Sequence, residues 1–122
     1  MKFLIVDDSV FSQQFTKKVI LSKYPGAELF FAASGEEGLS LYKAENHDFI
    51  ITDLLMDGIG GQAMIGMILD YNKDARIIVL TSDIQKAVKQ EILDMGVYRF
   101  INKPLRNENE QALLCALEGA CI

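Results

Sequence analysis

Five short apolar runs alternate with stretches of helical spacing, and this alternation constrains the fold more than any other feature of the chain. The runs are "KFLIV" (2–6), "ELFFA" (28–32), "DFIIT" (48–52), "ARIIVL" (75–80) and "YRFI" (98–101). Strands that alternate with helices are typical of α/β folds with a parallel sheet. The first, third and fourth runs are almost continuously apolar, as expected for strands covered on both faces. We therefore predict an open, doubly wound sheet of (βα)5 type, because a barrel needs eight such units.

Apolar residues recur at helical spacing in most of the stretches between the runs. The stripes are Phe11, Phe15 and Val19; Met64, Met67, Ile68 and Tyr71; Ile84, Val88, Ile92 and Met95; and Leu113, Ala116, Leu117 and Ala120. The remaining stretch has Ser34 followed three residues later by Glu37, a capping-box spacing that predicts the start of a helix. Stripes of methionine and aromatic residues at this spacing favour core packing over cofactor contacts.

Composition and length exclude several classes of protein. The 122 residues suggest one domain over 1–122, and the net charge of -5 argues against general binding to nucleic acid or anionic membrane. No apolar run approaches the roughly 18 residues of a membrane span, and the N-terminus is not a secretory signal. Cys115 and Cys121 lack metal-binding spacing, so we interpret both as reduced thiols of a cytoplasmic protein. We expect the single histidine, His47, in a solvated loop rather than in a phosphate relay.

Polar residues follow the predicted strands where each strand ends. They are Asp7 and Asp8 after the first, Asp53 after the third, Thr81 and Ser82 after the fourth, and Lys103 after the fifth. In an open parallel sheet, ligands bind outside the carboxyl ends of the strands. Three carboxylates without a nearby arginine favour Mg²⁺, and a lysine with a hydroxyl suits a phosphoryl dianion. Asp53 is then the candidate nucleophile that forms an acyl phosphate.

The segments "FLIVDDS", "ITDLLMDGIGG", "IIVLTSD" and "FINKPL" stand in an order and spacing that resemble the receiver domain of two-component response regulators. The resemblance spans the whole chain and implies a flavodoxin-like fold with strand order 2-1-3-4-5. It also implies a phosphoacceptor that phosphorylates and dephosphorylates itself, rather than a conventional enzyme. The phosphoryl donor would be a sensor histidine kinase or a histidine phosphotransfer protein. The opening "DDSVFSQQFTKKVI" is similar to single-domain, CheY-like regulators of the chemotaxis type.

The family pattern also implies roles for single residues around the phosphoryl group. Asp53 would be the phosphoacceptor and would also bind Mg²⁺. Asp8 would bind the ion directly, Asp7 through water, and Leu55 through its backbone carbonyl. Thr81 and Lys103, the latter followed by a cis Pro104, would contact the phosphoryl group.

A conformational switch follows from the same resemblance. Thr81 would move inward on phosphorylation, and Phe100 would follow it unless Phe100 is a simple core residue. The face formed by the fourth helix, fifth strand and fifth helix would then bind a downstream protein, with no direct contact to nucleic acid or membrane. Leu55 and Asp83 occupy the two positions that tune hydrolysis of the acyl phosphate in this family. Leu55 cannot hydrogen-bond the attacking water, so we expect slow dephosphorylation.

Some positions depart from the family pattern or stay open. Asp57 stands where the family usually has proline, and Gly60 where it usually has aspartate, so we expect a mobile loop there. Phe11, Gln14 and Phe15 on the first helix are candidates for kinase docking, although either phenylalanine can instead belong to the core.

Four other functions compete with this interpretation. A phosphatase of the haloacid-dehalogenase type needs an acid where Leu55 stands, and a flavodoxin-like electron carrier needs a phosphate loop where "VDDSVF" stands. A pseudo-receiver would signal by binding alone, but none of the key residues is missing. The receiver fragment of a larger transcriptional regulator would have the same sequence as a stand-alone protein.

Overall fold

In a computed structural model of the protein, the described residues are 1–54, 60–82, 86–103 and 108–118. Within them the strands are β1 (Lys2–Val6), β2 (Glu28–Ala32), β3 (Phe49–Thr52), β4 (Ile77–Thr81) and β5 (Arg99–Asn102). The helices are α1 (Val10–Lys23), α2 (Gly35–Glu45), α3 (Gly61–Tyr71), α4 (Lys86–Asp94) and α5 (Glu108–Glu118). All strand pairs are parallel, and the order is β2-β1-β3-β4-β5, so the predicted fold class and strand order are confirmed.

Three predicted strands are shifted by one or two residues. β4 begins at Ile77 because Ala75 belongs to the turn after α3, where its N–H donates to the carbonyl of Asn72 at 3.1 Å. β3 begins one residue later than predicted, at Phe49, although the N–H of Asp48 still donates to the carbonyl of Lys2 on β1 at 2.8 Å. Strand boundaries are set by ladder hydrogen bonds, which apolar runs indicate only approximately.

The sheet is covered on both faces, because successive residues of a strand point to opposite sides. Leu4, Val6 and Ile50 pack with buried residues of α2, α3 and α4, whereas Phe3 and Ile5 pack with those of α1 and α5. β1, β3 and β4 are buried almost along their whole length, as the apolar runs predict. The two buried clusters therefore form one core layer on each face of the sheet.

The helical stripes predict the core only in part. Confirmed as buried are Val19, Met64, Ile68, Ile92, Leu113, Ala116 and Leu117, and Val88 and Met95 pack partly against the core. The prediction of burial is wrong for four residues that are exposed, Phe11, Phe15, Met67 and Tyr71. Two others, Ile84 and Ala120, lie outside the described residues. On α3 the buried face runs through Ile65, and Met67 and Tyr71 are turned away from it.

His47 is buried, which contradicts the prediction of a solvated loop residue. The residue is 4% exposed, and its ring lies edge-on to Phe30 with 4.6 Å between the ring centroids. Tyr42 lies on another side at 6.2 Å. Among the described residues, neither ring nitrogen has a hydrogen-bond partner, and burial lowers the pKa of His47. Apolar packing at the end of α2 therefore outweighs the polarity of the imidazole.

Two further predictions concern the state of the cysteines and the presence of a membrane-spanning helix. Cys115 is disulfide-bonded, so the prediction of a reduced thiol is wrong at this position, and Cys121 lies outside the described residues. The spacing of two cysteines does not reveal whether their side chains can meet. Among the helices of the described ranges, we find none with the length and apolar character needed to cross a membrane.

Candidate functional site

The strand order brings the predicted polar residues together at the carboxyl edge. Asp7 follows β1 and Asp53 follows β3, and these two strands are neighbours. The N–H of Asp53 donates to the carbonyl of Val6 at 3.0 Å, which extends the pairing of the two strands to the carboxylates. Lys103 follows β5, and its N–H donates to the carbonyl of Thr81 at 2.8 Å. The ends of four strands therefore share one small region.

The Lys103 ammonium is the centre of this region. Its Nζ donates to Asp7 Oδ2 at 2.9 Å, to Asp53 Oδ2 at 2.9 Å and to Ser12 Oγ at 3.3 Å. An ammonium has three N–H donors, so these three acceptors match its full capacity. The carboxylates of β1 and β3 thus share one positive charge that comes from the end of β5.

Both carboxylates are buried, which makes the shared ammonium necessary. Asp7 is 5% and Asp53 8% exposed. A buried charge is costly unless it is paired and hydrogen-bonded. Asp7 Oδ1 also accepts from the N–H of Ser9 at 3.0 Å, and Asp53 Oδ1 from the N–H of Leu54 at 2.6 Å. Burial by itself lowers the pKa of Lys103, but the hydrogen bonds and charges of Asp53 and Asp7 outweigh burial and raise it.

Asp8 differs from its neighbour, because its side chain is exposed and makes no hydrogen bond or ion pair within the described part of the chain. Together with Asp7 and Asp53 it offers oxygen ligands only, the kind that Mg²⁺ prefers at about 2.0–2.1 Å. Lys103 stands between Asp7 and Asp53, and the described ranges contain no three acidic, histidine or cysteine side chains already grouped as a metal site. The donor chemistry therefore fits Mg²⁺.

Two residues of this region were missed by the sequence reasoning. Gln13 is buried on α1, and its Nε2 donates to the carbonyls of Asp7 at 2.6 Å and Ala32 at 3.4 Å, so it fixes the end of β1. Ser12 contacts Lys103. Side chains in the first turn of a helix point back toward its N-terminus. The short link between Asp8 and α1 was therefore the signal that could have identified them.

The start of α3 packs directly on the strand end that carries Asp53. The N–H of Gly61 donates to the carbonyl of Leu54 at 3.1 Å. A Cβ atom on Gly61 would lie 2.2 Å from the backbone oxygen of Asp53, so only glycine allows this approach. Gly60, the N-cap residue of α3, provides no side-chain cap. The backbone around Asp53 is thus held by β1 on one side and α3 on the other.

The predicted switch residues lie on β4 and β5. Thr81 is completely buried. Phe100 is half-buried and packs against the core on the side of α2, α3 and α4. The Nζ of Lys89 on α4 lies 5.5 Å from the centroid of the Phe100 ring, within cation–π range. Leu55, Asp57, Asp83 and Pro104 lie outside the described residues, so their predicted roles and the expected mobility around Asp57 stay predictions.

The predicted docking residues form an exposed aromatic patch at the start of α1. Phe11 is 79% and Phe15 40% exposed, and their ring centroids are 6.4 Å apart. Gln14 is exposed beside them. Of the two alternatives for these phenylalanines, core or surface, the structure places both on the surface.

Comparisons with known proteins show the family of the chain. Residues 3–115 match the family model of the response regulator receiver domain. A probable chemotaxis protein CheY from Rhizobium etli is 29% identical over 98% of this chain and 94% of its own length. CheY from Thermotoga maritima is 31% identical over 86% of this chain and 87% of that protein. The chain spans only 30% of a protein-glutamate methylesterase/protein-glutamine glutaminase from Geobacter sulfurreducens, at 25% identity.

Solved structures give the same result. A complex of CheX, CheY, BeF3 and magnesium from Borrelia burgdorferi matches with a TM-score of 0.89 and 28% identity over all of this chain and 90% of that one. The chain belongs to the response regulator receiver family. More particularly, it is a receiver domain of CheY type. Members of this family are phosphoacceptors rather than conventional enzymes, bind Mg²⁺, and interact with kinases and downstream targets.

Proposed function

We propose that this chain is a single receiver domain over 1–122 that accepts a phosphoryl group on Asp53 in a Mg²⁺-dependent reaction. The donor is a phosphohistidine of a sensor histidine kinase or a histidine phosphotransfer protein in the cytoplasm. The observation that carries the proposal is the buried arrangement of Asp7, Asp53 and Lys103 at the carboxyl edge. Two buried carboxylates around one ammonium leave an excess negative charge, and burying that charge is costly.

The chemistry assigns one task to each side chain. A carboxylate oxygen of Asp53 forms a bond to phosphorus, and the P–N bond to the donor imidazole breaks, with its electron pair staying on nitrogen. Lys103 moves its hydrogen bonds from the carboxylate to the phosphoryl oxygens, and the Thr81 hydroxyl donates to another of them. Asp8, Asp7, Asp53 and the carbonyl of Leu55 would hold Mg²⁺, and the bound ion would neutralise negative charge on the phosphoryl group.

The signal leaves through β4 and β5. Thr81 ends β4 and pairs with the residue before Lys103, and Phe100 lies two residues earlier on β5. We propose that Thr81 and Phe100 change position on phosphorylation and alter the face of α4, β5 and α5. A downstream protein binds this face, and neither nucleic acid nor membrane is a direct partner. Leu55 and Asp83 set the rate at which water removes the phosphoryl group.

Acetyl phosphate tests the proposal without a partner kinase. The purified protein is incubated with acetyl phosphate and Mg²⁺, and intact mass reports added phosphoryl groups. We expect one adduct in the wild type, none in Asp53→Ala and none with EDTA. Asp70→Ala is the matched control, because Asp70 is an exposed carboxylate on α3, and it should be modified like the wild type.

Other outcomes separate the alternatives. An adduct that persists in Asp53→Ala would place the phosphoryl group elsewhere and refute the proposal. If folded wild type forms no adduct, a phosphorylated histidine phosphotransfer protein is the next donor. Failure with this donor as well would favour a pseudo-receiver that signals by binding alone.

A further inference from the structure

A closed ring of hydrogen bonds joins the first turn of α1 to the Lys103 ammonium. The N–H of Ser9 donates to Asp7 Oδ1 at 3.0 Å, and the N–H of Ser12 donates to Ser9 Oγ at 3.3 Å. Lys103 Nζ donates to Ser12 Oγ at 3.3 Å and to Asp7 Oδ2 at 2.9 Å, which closes the ring. The ammonium is therefore held from the helix as well as from the two strands.

The Ser12 hydroxyl is not needed for the helix itself. The N-cap residue of α1 is Ser9, whose side chain already accepts from the N–H of Ser12. The Ser12 side chain is half-buried at the site rather than directed to solvent. It supplies the third acceptor of an ammonium whose other two hydrogen bonds go to carboxylates of the site.

We propose that Ser12 is a positioning residue that holds the Lys103 ammonium between Asp7 and Asp53 in the metal-free protein. This inference rests on the proposed function, because it assigns those carboxylates to Mg²⁺. The Lys103 ammonium and Mg²⁺ compete for the same carboxylate oxygens. An ammonium that stays on these oxygens therefore weakens the binding of Mg²⁺. Ser12 stabilises the ammonium in the position where it occupies both carboxylates. It therefore lowers the affinity of the site for Mg²⁺.

The expected effect follows from the loss of one hydrogen bond. Without the Ser12 hydroxyl, the ammonium leaves the carboxylates more readily, and Mg²⁺ should bind more tightly. A net contribution typical of one intramolecular hydrogen bond corresponds to a change of about 2- to 10-fold in the dissociation constant. A weakened helix would not have this effect, because it would loosen the carboxylates and reduce affinity.

The test is the dissociation constant for Mg²⁺, measured by isothermal titration calorimetry on metal-free protein. Ser12→Ala should bind Mg²⁺ about 2- to 10-fold more tightly than the wild type. Ser12→Cys keeps nearly the same size with a weak acceptor, and it should change affinity in the same direction. Ser12→Thr keeps the hydroxyl and should have the same dissociation constant for Mg²⁺ as the wild type. Ser9→Ala is the matched control, since it removes the helix cap but keeps the N–H that binds Asp7.

A second readout needs no metal. The ¹⁵N resonance of the Lys103 ammonium reports its hydrogen bonds directly, and its exchange with water should accelerate in Ser12→Ala but not in Ser12→Thr. Unchanged exchange and unchanged Mg²⁺ affinity in Ser12→Ala and Ser12→Cys would overturn the inference. An effect of equal size in Ser9→Ala would also overturn it, because helix stability would then be the cause.

The proposed function and this inference fail in different ways. If the wild type forms the Asp53 adduct and binds Mg²⁺ while the Ser12 variants match it, only the inference is wrong. If the folded wild type binds no Mg²⁺, the proposed metal site and the inference both fail.

Discussion

The close contact between α3 and the end of β3 can be tested by replacing two glycines of α3, Gly61 and Gly66, with alanine. A Cβ on Gly61 would lie 2.2 Å from the carbonyl oxygen of Asp53 and 2.8 Å from Leu54 Cα. Both are backbone atoms that cannot rotate away, so Gly61→Ala must push α3 off the strand end. A Cβ on Gly66 would meet Met95 Cε at 3.5 Å, which is ordinary van der Waals contact. The same substitution should therefore have opposite effects at the two positions.

The magnitudes follow from packing and helix propensity. Overpacking costs typically about 1–3 kcal/mol, and displacement of α3 also weakens the hydrogen bond from Gly61 to Leu54. Replacing glycine by alanine inside a helix stabilises the protein by about 0.5–1 kcal/mol. Gly61 lies in the first turn of α3, where this stabilisation is smaller. We expect Gly61→Ala to lower the free energy of unfolding by about 1–3 kcal/mol. Gly66→Ala should raise it by about 0.5–1 kcal/mol.

Urea unfolding followed by far-UV circular dichroism measures both free energies by linear extrapolation. The rate of phosphorylation by acetyl phosphate is the functional readout, because the displaced carbonyl belongs to the proposed phosphoacceptor. Gly61→Ala should react more slowly than the wild type, and Gly66→Ala should react at the wild-type rate. If Gly61→Ala proves as stable and as reactive as Gly66→Ala, the close approach of α3 to Asp53 is not present in solution.

Three further predictions concern stability and dephosphorylation. Burial lowers the pKa of His47 in the folded protein below its value of about 6.5 in the unfolded chain. The free energy of unfolding should therefore be constant above about pH 6.5 and should fall, by at most about 1.4 kcal/mol per pH unit, as the pH drops from there toward the pKa of the folded protein. Urea unfolding at several pH values should show this slope in the wild type but not in His47→Phe. Gly60→Asn should raise the free energy of unfolding by about a few tenths of a kcal/mol, whereas Gly60→Ala should lower it, because an asparagine side chain caps α3 and alanine is a poorer N-cap residue than glycine. Leu55→Asn should lose its phosphoryl group faster than the wild type once acetyl phosphate is removed, and equal decay of the adduct would contradict the role of Leu55.

The sequence predicts the meeting of Asp7, Asp53 and Lys103, although these residues are far apart along the chain. Two rules suffice: apolar runs locate the strands, and the carboxyl ends of parallel strands lie at one edge. Neither rule depends on the boundaries, so errors of one or two residues in β4 and β5 did not affect the prediction. The order of the strands came from the family resemblance rather than from the residue pattern.

Contacts that depend on side-chain direction could not be predicted in this way. Ser12 and Gln13 reach the site only because α1 starts directly after the acidic pair and turns their side chains back toward it. His47 is polar, and its burial depends on Phe30 and Tyr42, which belong to other elements. Helical periodicity placed Phe11 in a stripe with the core residue Val19, yet Phe11 is exposed at the start of α1.

Two adjacent aspartates at the end of an apolar strand are explained by the charges around them. Asp7 and Asp53 are buried with the single ammonium of Lys103, so the cluster has one excess negative charge, and exposed Asp8 adds another. A divalent cation would balance this charge, whereas a monovalent cation would not. A phosphoryl group on Asp53 would add negative charge beside the same ammonium. The backbone N–H of Lys103 donates a hydrogen bond to the carbonyl of Thr81. A movement of Lys103 toward the phosphoryl charge would therefore shift the ends of β4 and β5.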